Sequence, residues 1–494
     1  MKNLRHRHIP ALIFWLIVII MTLITMPDVS GIVRDKGALS LPKNEESQIA
    51  ANIEKKANNN QKVRSYALVF NNGDKKLTAS QKQAIHQTLK NLKSTGAVKI
   101  INVTQASDNA ETKKQLDAKD GTTQMALVDV KAQGQVGPQT RNLEKQIKTS
   151  NVKTYVTGSD VLNDDFATVT EKGIQKTEII AAIFIFIVLI IVFRSPIVPL
   201  VSLLTVAISF MTSLNIIMNL ADKFNFPISN FTQVFLVVVL FGIGTDYNIL
   251  LYDDFKAALS QGIPRTKAAG VARRFGGRTI LYSGLSVLIG FSVLGLANFK
   301  FYRSAVGVAI GVLILLTVLL TLNMFFMATL GEKLFWPSKN LNGHSTSRLW
   351  HGLSKMGIAR PLITLGIIGI IAVPFLLNAN QTLNFNNADE LPETLQSKVG
   401  YKLIQDHYSK GMASPTTIYI QSKQPLNTQT VLGTIDDLTT YLQKENGVKT
   451  VASVTQPGGS QIKSLYLDNQ LQTINAGLTD SVKGLKQVQA GLSS

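Results

Sequence analysis

Hydrophobic residues in this chain fall into long, nearly uninterrupted runs, and two long polar segments separate them. The runs cover residues 9–26, 178–193, 197–220, 231–252, 279–298, 304–327 and 361–378. Each approaches the roughly 20 apolar residues that a helix needs to cross a bilayer, so each is predicted to span a membrane. The first run follows the basic stretch MKNLRHRH and precedes TMPDVSG, which has no Ala-x-Ala-like cleavage site. It is therefore read as an uncleaved anchor and not as a signal peptide.

The polar segments, 27–177 and 379–494, have a different rhythm. In the first, VRSYALVF (63–70), AVKIINVT (97–104), TQMALVDVK (123–131) and VKTYVTG (152–158) are predicted strands. TASQKQAIHQTLKNLKS (78–94), capped by Thr78 or Ser80, and GPQTRNLEKQIKTS (137–150) are predicted helices. The order βαββαβ is that of a ferredoxin-like split unit, an antiparallel sheet with helices on one face.

The second polar segment begins in the same way at an offset near 350. Pro42 in LPKNEESQIAANIEKK matches Pro392 in LPETLQSKVGYKLIQD, and GAVKIINVTQ from Gly96 matches GVKTVASVTQ from Gly447. Between Pro392 and Gly447, TIYIQS and TQTVLGTIDDLTTYLQKEN repeat a strand and a helix, and the span 12–26 aligns with 362–376. Span and outer domain in step make an internal repeat. The second copy then departs. Gly-Leu recurs at 477–478, 484–485 and 491–492, and Leu471, Ile474, Leu478, Val482, Leu485, Val488 and Leu492 keep a spacing of three or four. That is the seam of a coiled coil, or of an amphipathic helix lying on the domain. The first repeat continues into further strands and five more spans, so the expectation is the front part of a longer protein.

The expected organisation is an N-terminal segment and first span (1–26), a first outer α+β domain (27–177), a bundle of five spans (178–330), a linker (331–360), a seventh span (361–378), the start of a second outer α+β domain (379–464) and a heptad helix, a partial coiled-coil insertion (465–494). The fold class is an α-helical multi-pass membrane protein with extracytoplasmic ferredoxin-like α+β domains.

Charge changes how this organisation is oriented. The chain has 494 residues, 45% of them hydrophobic and 16% charged, with a net charge of +19. With the N-terminus inside, residues 1–8, 194–196, 253–278 and 328–360 are cytoplasmic, and Asp253, Asp254 and Glu332 are their only acids among many Lys and Arg. The short outer loops 221–230 and 299–303 hold only Lys223, Lys300 and Arg303 as bases. This is the positive-inside bias, and the basic charge needs no nucleic-acid partner to account for it. Both polar segments then lie outside the membrane. There is no cysteine, hence no disulfide and no thiolate metal site.

Candidate chemistry sits in FGIGTDYNIL, residues 241–250. Asp246 lies deep inside the apolar run 231–252, where a carboxylate costs a few kcal/mol unless it is protonated or paired. Gly242 and Asp246 are four residues apart and share a helix face, and Gly244 is a second small site. Small residues let a neighbouring helix approach closely, which would shield the acid from lipid. Tyr247 is about 100° further around the helix, better placed to bond across an interface than to its neighbour. Asp253 and Asp254 are expected to be solvated at the cytoplasmic helix end. Ser283 and Ser286 satisfy backbone or pack helices, or else join a secondary proton network. Asn215 and Asn219 are expected at the membrane interface. His86, His6 and His8 are expected at the surface, without metal-ligand spacing. No phosphate-binding loop of the Gly-x4-Gly-Lys-Ser/Thr type is present, so ATP hydrolysis is not expected, nor any enzymatic activity or cofactor.

With these residues in view, the chain resembles the MMPL branch of the resistance–nodulation–division transporters. The resemblance rests on Gly242, Gly244, Thr245, Asp246 and Tyr247 on the fourth span, on the following YDDFKAALSQG, and on RRFGGRTILYSGLSVLIGFSVL at the fifth. It covers nearly all of the chain. It implies proton-driven export of lipids or amphiphilic compounds, with Asp246 and Tyr247 as proton relay facing a matching pair on a tenth span that this sequence does not contain. The implied partners are the membrane, a lipidic substrate, the missing half or an equivalent subunit, and a second protomer where the heptad seam pairs. Two other readings remain: a surface stalk or receptor anchored by the bundle, and a lipid-sensing relative that does not export.

Overall fold

The structure is a computed structural model that describes residues 9–37, 41–59, 61–92, 98–338, 348–377, 384, 386–462 and 466–492. In chain order its principal elements are α1 (Ile9–Thr25), α2 (Val29–Lys36), α3 (Glu46–Ala57), β1 (Val63–Asn71), α4 (Ala79–Leu92), β2 (Ile100–Gln105), α5 (Ala110–Leu116), β3 (Thr123–Lys131), α6 (Val136–Gln146) and β4 (Lys153–Thr157). Then come α7 (Ser159–Phe193), α8 (Ile197–Phe224), α9 (Thr232–Ser260), α10 (Arg265–Arg274), α11 (Gly276–Val293), α12 (Lys300–Ser304), α13 (Val306–Leu330), α14 (Arg348–Ala359) and α15 (Pro361–Leu377). The last are α16 (Gln396–His407), α17 (Lys410–Ala413), α18 (Gln429–Gln443) and α19 (Leu467–Leu492). The chain divides into two units, Met1–Gln48 with Ala167–Asn386, and Ile49–Phe166 with Asn387–Ser494.

The first unit is helical. Among the described residues, five helical segments are long and apolar enough to cross a membrane, and seven if two bent pairs each count as one span. The bends fall where the sequence breaks the helix. Pro27 follows α1, Asp28 caps α2 through the Gly31 N–H, and the two axes turn by 63°. Pro361 opens α15, which turns 109° from α14; proline is tolerated at a first helical position because its missing N–H would have no partner there. The core of the bundle is α8 against α13, with α9 and α11 packed on α13. Close approach is set by small residues: a Cβ on Gly311 would meet Leu236 Cδ1 at 2.5 Å, and one on Gly284 would meet Leu316 Cδ2 at 2.6 Å. Trp15 of α1 is buried and donates to Thr321 Oγ1 of α13 at 2.9 Å. Asn215 and Asn219 clip α8 to α1. Asn215 is buried and donates to Thr22 O and Thr25 Oγ1, and Asn219 donates to Thr25 O at 3.0 Å. The main chain at the end of α1 offers carbonyls that no further helical turn satisfies, and the amides meet that need.

The second unit is built on one antiparallel sheet of order β2-β3-β1-β4. β1 lies between β3 and β4, with Leu68 opposite Ala126 on one side and Val156 on the other. Alternation along β1 sends Tyr66, Leu68 and Phe70 to one face, where Ile85, Leu89 and Leu92 of α4 and Leu143 of α6 cover them. It sends Val69 to the other face, where Met125, Leu116 and Ile404 of α16 gather. A helix from the second polar segment therefore covers the sheet of the first. Gly400 allows it: a Cβ there would stand 3.0 Å from Tyr155 Cβ.

One expectation, that of strands in the second polar segment, is corrected here. TIYIQS (417–422) and the stretch from Gly447 form no strand. β1 is a strand because β3 and β4 hydrogen-bond both its edges, and no described residue after 416 offers such an edge. The heptad segment is a helix, α19, and its seam residues Leu471, Ile474, Leu478, Val482, Leu485 and Val488 are exposed in this chain. His6 and His8 lie outside the described residues.

Candidate functional site

α9 carries the motif, and its two sides are unlike. The helix runs unbroken from Thr232 to Ser260, so the charged stretch after Tyr252 continues the span and is not a separate element. Asn248 and Tyr252 are one turn apart on the buried side, and Asp246 is about 200° around from Asn248.

On the outward side, Asp246 is exposed and makes no hydrogen bond or ion pair with any described residue. Gly242 is exposed one turn away, and a Cβ on it would meet nothing within 4 Å. Thr245 donates to Phe241 O at 2.6 Å, which keeps its hydroxyl satisfied inside an apolar setting. Gly244 points the other way: a Cβ there would meet Val206 Cγ2 at 2.7 Å and Leu315 Cδ1 at 3.2 Å. The two motif glycines thus do different things. Gly244 seats α9 on α8 and α13, while Gly242 leaves the Asp246 face smooth and open.

Tyr247 is buried, and Ser283 of α11 lies 3.0 Å from its hydroxyl as the donor. Ser283 also reaches Thr279 O at 3.1 Å. Ser286 only bonds its own helix, at Tyr282 O, and does not join this pair. Asp253 and Asp254 are half-buried and partnered, not simply solvated. Asp254 Oδ2 would lie 2.7 Å from a Cβ on Gly276, at the N-terminus of α11, where a helix favours negative charge.

The inner side of α9 holds a polar network absent from the sequence reading. Asn323 of α13 accepts from Tyr252 OH at 2.5 Å and donates to Asn248 Oδ1 at 2.7 Å. Asn248 in turn lies 3.4 Å from Thr205 Oγ1 of α8, and all four residues are fully buried. One signal could have found it: Asn323 is the only amide in the run 304–327. A polar side chain at that depth needs a partner as surely as Asp246 does. Below it, Phe193, Tyr252, Phe255 and Phe335 form a ring-on-ring cluster. Among the described residues no group of three or more His, Asp or Glu is placed to hold a metal ion.

The family model described as "MMPL family" matches residues 39–364. The chain belongs to that family. It is 37% identical over 464 residues to "Putative membrane protein YdgH" of Bacillus subtilis (strain 168), covering 94% of this chain and 52% of that protein. It is 25% identical over 323 residues to "Probable transport protein MmpL10" of Mycobacterium leprae (strain TN), 64% of this chain and 31% of that one. It is 24% identical over 350 residues to "Probable transport protein MmpL12" of Mycobacterium tuberculosis (strain ATCC 25618 / H37Rv), 70% and 30%. This MMPL-family chain therefore spans about half the length of its Bacillus relative and less than a third of the two mycobacterial ones. Family and apolar helices together give a membrane location.

Proposed function

We propose that this chain supplies the first half of a proton-driven exporter of lipidic or amphiphilic molecules, with Asp246 as the coupling acid and Tyr247 beside it in the relay. The observation that carries the reading is Asp246 itself: an unpaired carboxyl midway along an apolar helix, on a face kept smooth by Gly242. An anchor has no use for such a group. The names of the mycobacterial relatives support transport as the general class. A second bundle, from a longer chain or an equivalent subunit, would cover that face and bring a matching acid and tyrosine. Asp246 would take a proton from outside and release it inward, and the change of charge would alter its contacts across the interface.

Magnitudes constrain the path. One charge crossing ~100 mV gains ~2.3 kcal/mol. Exposing a chain of roughly 16 carbons to water would cost on the order of 13 kcal/mol, at ~0.8 per CH₂. One or two protons cannot offset that, so the outer domains must shelter the substrate. In this reading the N-terminus is cytoplasmic and both polar segments are outside. The first is ferredoxin-like, which the strand order β2-β3-β1-β4 supports. The exposed seam of α19 pairs as a coiled coil with a returning helix or another protomer.

The test is export by the full-length protein in proteoliposomes, with and without a pH gradient. Asp246→Asn keeps the size and removes ionisation, so it is expected to insert normally and to abolish gradient-dependent export. Tyr247→Phe is expected to slow it. Wild-type export by Asp246→Asn would remove Asp246 from the coupling role. A surface-stalk reading, favoured by the bare α19 seam, expects Asp246→Asn to leave every surface function intact.

A further inference from the structure

The internal repeat sets an unfinished copy beside a finished one. In the first copy Leu68 and Phe70 of β1 and Val103 of β2 are 0%, 0% and 3% exposed. At the matching places about 350 residues later, Ile418, Ile420 and Val454 are 60%, 44% and 71% exposed. The helix between the two strand patterns differs in the same sense. Ile85 and Leu92 of α4 are buried against the sheet. Ile435 and Leu442 of α18 are only half-buried, and Leu438 and Tyr441 are exposed. The second copy keeps the apolar pattern and lacks the burial that such a pattern serves.

The strand order says what is missing. β1 and β2 are not neighbours. Both bond β3, and both run antiparallel to it. They are therefore parallel to each other, with α4 as the crossover and a gap one strand wide between them, roughly 9–10 Å. β3 fills that gap with Ala126 opposite Leu68 and Val128 opposite Val103, both fully buried. Without β3, neither flanking strand would have its ladder on that side. Residues 417–422 and 448–454 are in that condition, since they pair with no described strand. In the first copy β3 follows β2 after one short helix, α5. In the second copy α19 stands in that place.

We propose that residues 417–422 and 448–454 flank a slot for one β-strand, and that its occupant is a segment of the same protein that follows α19. The inserted strand runs antiparallel to both flanks and carries apolar side chains at alternate positions, facing α18 as Ala126 and Val128 face α4. Its arrival buries Ile418, Ile420 and Val454 and closes α18 onto a sheet. The Bacillus relative has chain to spare for this, since the matched part is 52% of its length. A second copy is a poorer source. Its β1, β2, β3 and β4 already share one sheet, and its own 417–422 and 448–454 carry the flanking patterns, not the central one. The inference rests on the reading of this chain as the first half of a longer protein, and not on the coupling role of Asp246.

The test is amide hydrogen exchange read by mass spectrometry, on the full-length protein and on the 494-residue chain, both in detergent micelles. In the 494-residue chain, 417–422 and 448–454 are expected to exchange at nearly unprotected rates. In the full-length protein both are expected to exchange at least about a hundredfold more slowly, as paired strands do. Ile420→Pro removes a ladder donor that the 494-residue chain does not use. It is expected to leave exchange in that chain unchanged and to cancel most of the protection of 417–422 in the full-length protein. Unprotected exchange of either segment in the full-length wild type would overturn the assignment. So would equal protection in the 494-residue chain, which would mean pairing within or between copies, and so would a native chain that ends with α19. Unprotected exchange combined with loss of export by Asp246→Asn would remove the inserted strand and keep the coupling acid, and the opposite pair of results would do the reverse.

Discussion

Replacing Asn323 by Leu tests whether the inner face of α9 is held by its polar network or only by packing. Asn323 makes two bonds to α9, 2.5 Å to Tyr252 OH and 2.7 Å to Asn248 Oδ1, and all three residues are fully buried. The leucine fills a similar volume, so little cavity is created, and the cost is chiefly that of two orphaned polar groups. In a soluble protein each orphan costs about 1–3 kcal/mol, which gives an upper bound near 6. In a bilayer the unfolded reference also finds partners, and measured interhelical bonds average about 0.6 kcal/mol with a maximum near 1.7. Two bonds then give about 1–3.5 kcal/mol. The second range governs here, because α8, α9 and α13 remain helices in the membrane-denatured state.

The decisive measurement is a double-mutant cycle with Tyr252→Phe, followed by unfolding of the 494-residue chain in mixed micelles. Phenylalanine keeps the ring against Phe193, whose centroid is 6.0 Å away, and removes only the hydroxyl. Alone, Tyr252→Phe leaves the Asn323 oxygen without its short bond. Together with Asn323→Leu it removes both partners, so the double variant should be less destabilised than the sum by about 0.6–1.7 kcal/mol. Additivity of the two, or an Asn323→Leu chain as stable as wild type, would refute the view that these bonds hold α9 to α13.

Other outcomes follow from the same packing. Gly244→Val should destabilise the 494-residue chain by about 1–3 kcal/mol through overpacking against Val206 and Leu315, whereas Gly242→Val, with open space around it, should stay within about 0.5 kcal/mol plus helix propensity. If a second bundle covers that face as proposed, Gly242→Val should be costly once that bundle is present, and thermal melts with and without it check the contrast. In the second unit, His407 Nδ1 lies 2.6 Å from Asp120 Oδ2. Burial alone would raise the Asp120 pKa, but the Thr122 N–H, the His407 ring and the Thr122 hydroxyl together outweigh it and hold it below the usual value. A carboxyl with a lowered folded pKa contributes stability above its unfolded value of about 3.9 and loses it as pH falls through the folded value. Asp120→Asn should therefore melt earlier than wild type by a small margin above about pH 5, closing in more acid solution, as read by melting between pH 3 and 8.

What was legible in the sequence is what a bilayer or a pleat enforces residue by residue. A membrane span must be apolar along its length, so the run 304–327 announces α13 within a few residues, and the run 231–252 announces the start of α9 but not its charged end at Ser260. A half-buried strand must alternate, so β1 and β3 were visible. An acid inside an apolar run is expensive wherever its helix faces, and Asp246 stood out for that reason alone. What was not legible depends on partners far away in the chain. TIYIQS alternates as well as VRSYALVF does, yet only the latter has two strands to bond, and an unpaired edge does not make a ladder however good its pattern. The placement of α16 on the sheet of the first polar segment, and of Asn215 against α1, are likewise contacts between residues about 200 or more positions apart.

The motif shows the limit most clearly. In FGIGTDYNIL the two glycines look equivalent, both small, both near the acid. Two residues turn a helix by about 200°, so they face opposite ways, but nothing in the string says which way is inward. The neighbours decide it. Val206 and Leu315 crowd Gly244, and Asn323 bridges Asn248 to Tyr252, so that side is committed to this bundle. Tyr247 lies between, buried and joined to Ser283. Only Gly242 and Asp246 remain for something else to meet. A helix fastened along one side to α8 and α13 can present its acid to a neighbour without turning toward it, so a change in the charge of Asp246 would act on whatever covers that face and leave the fastened side in place.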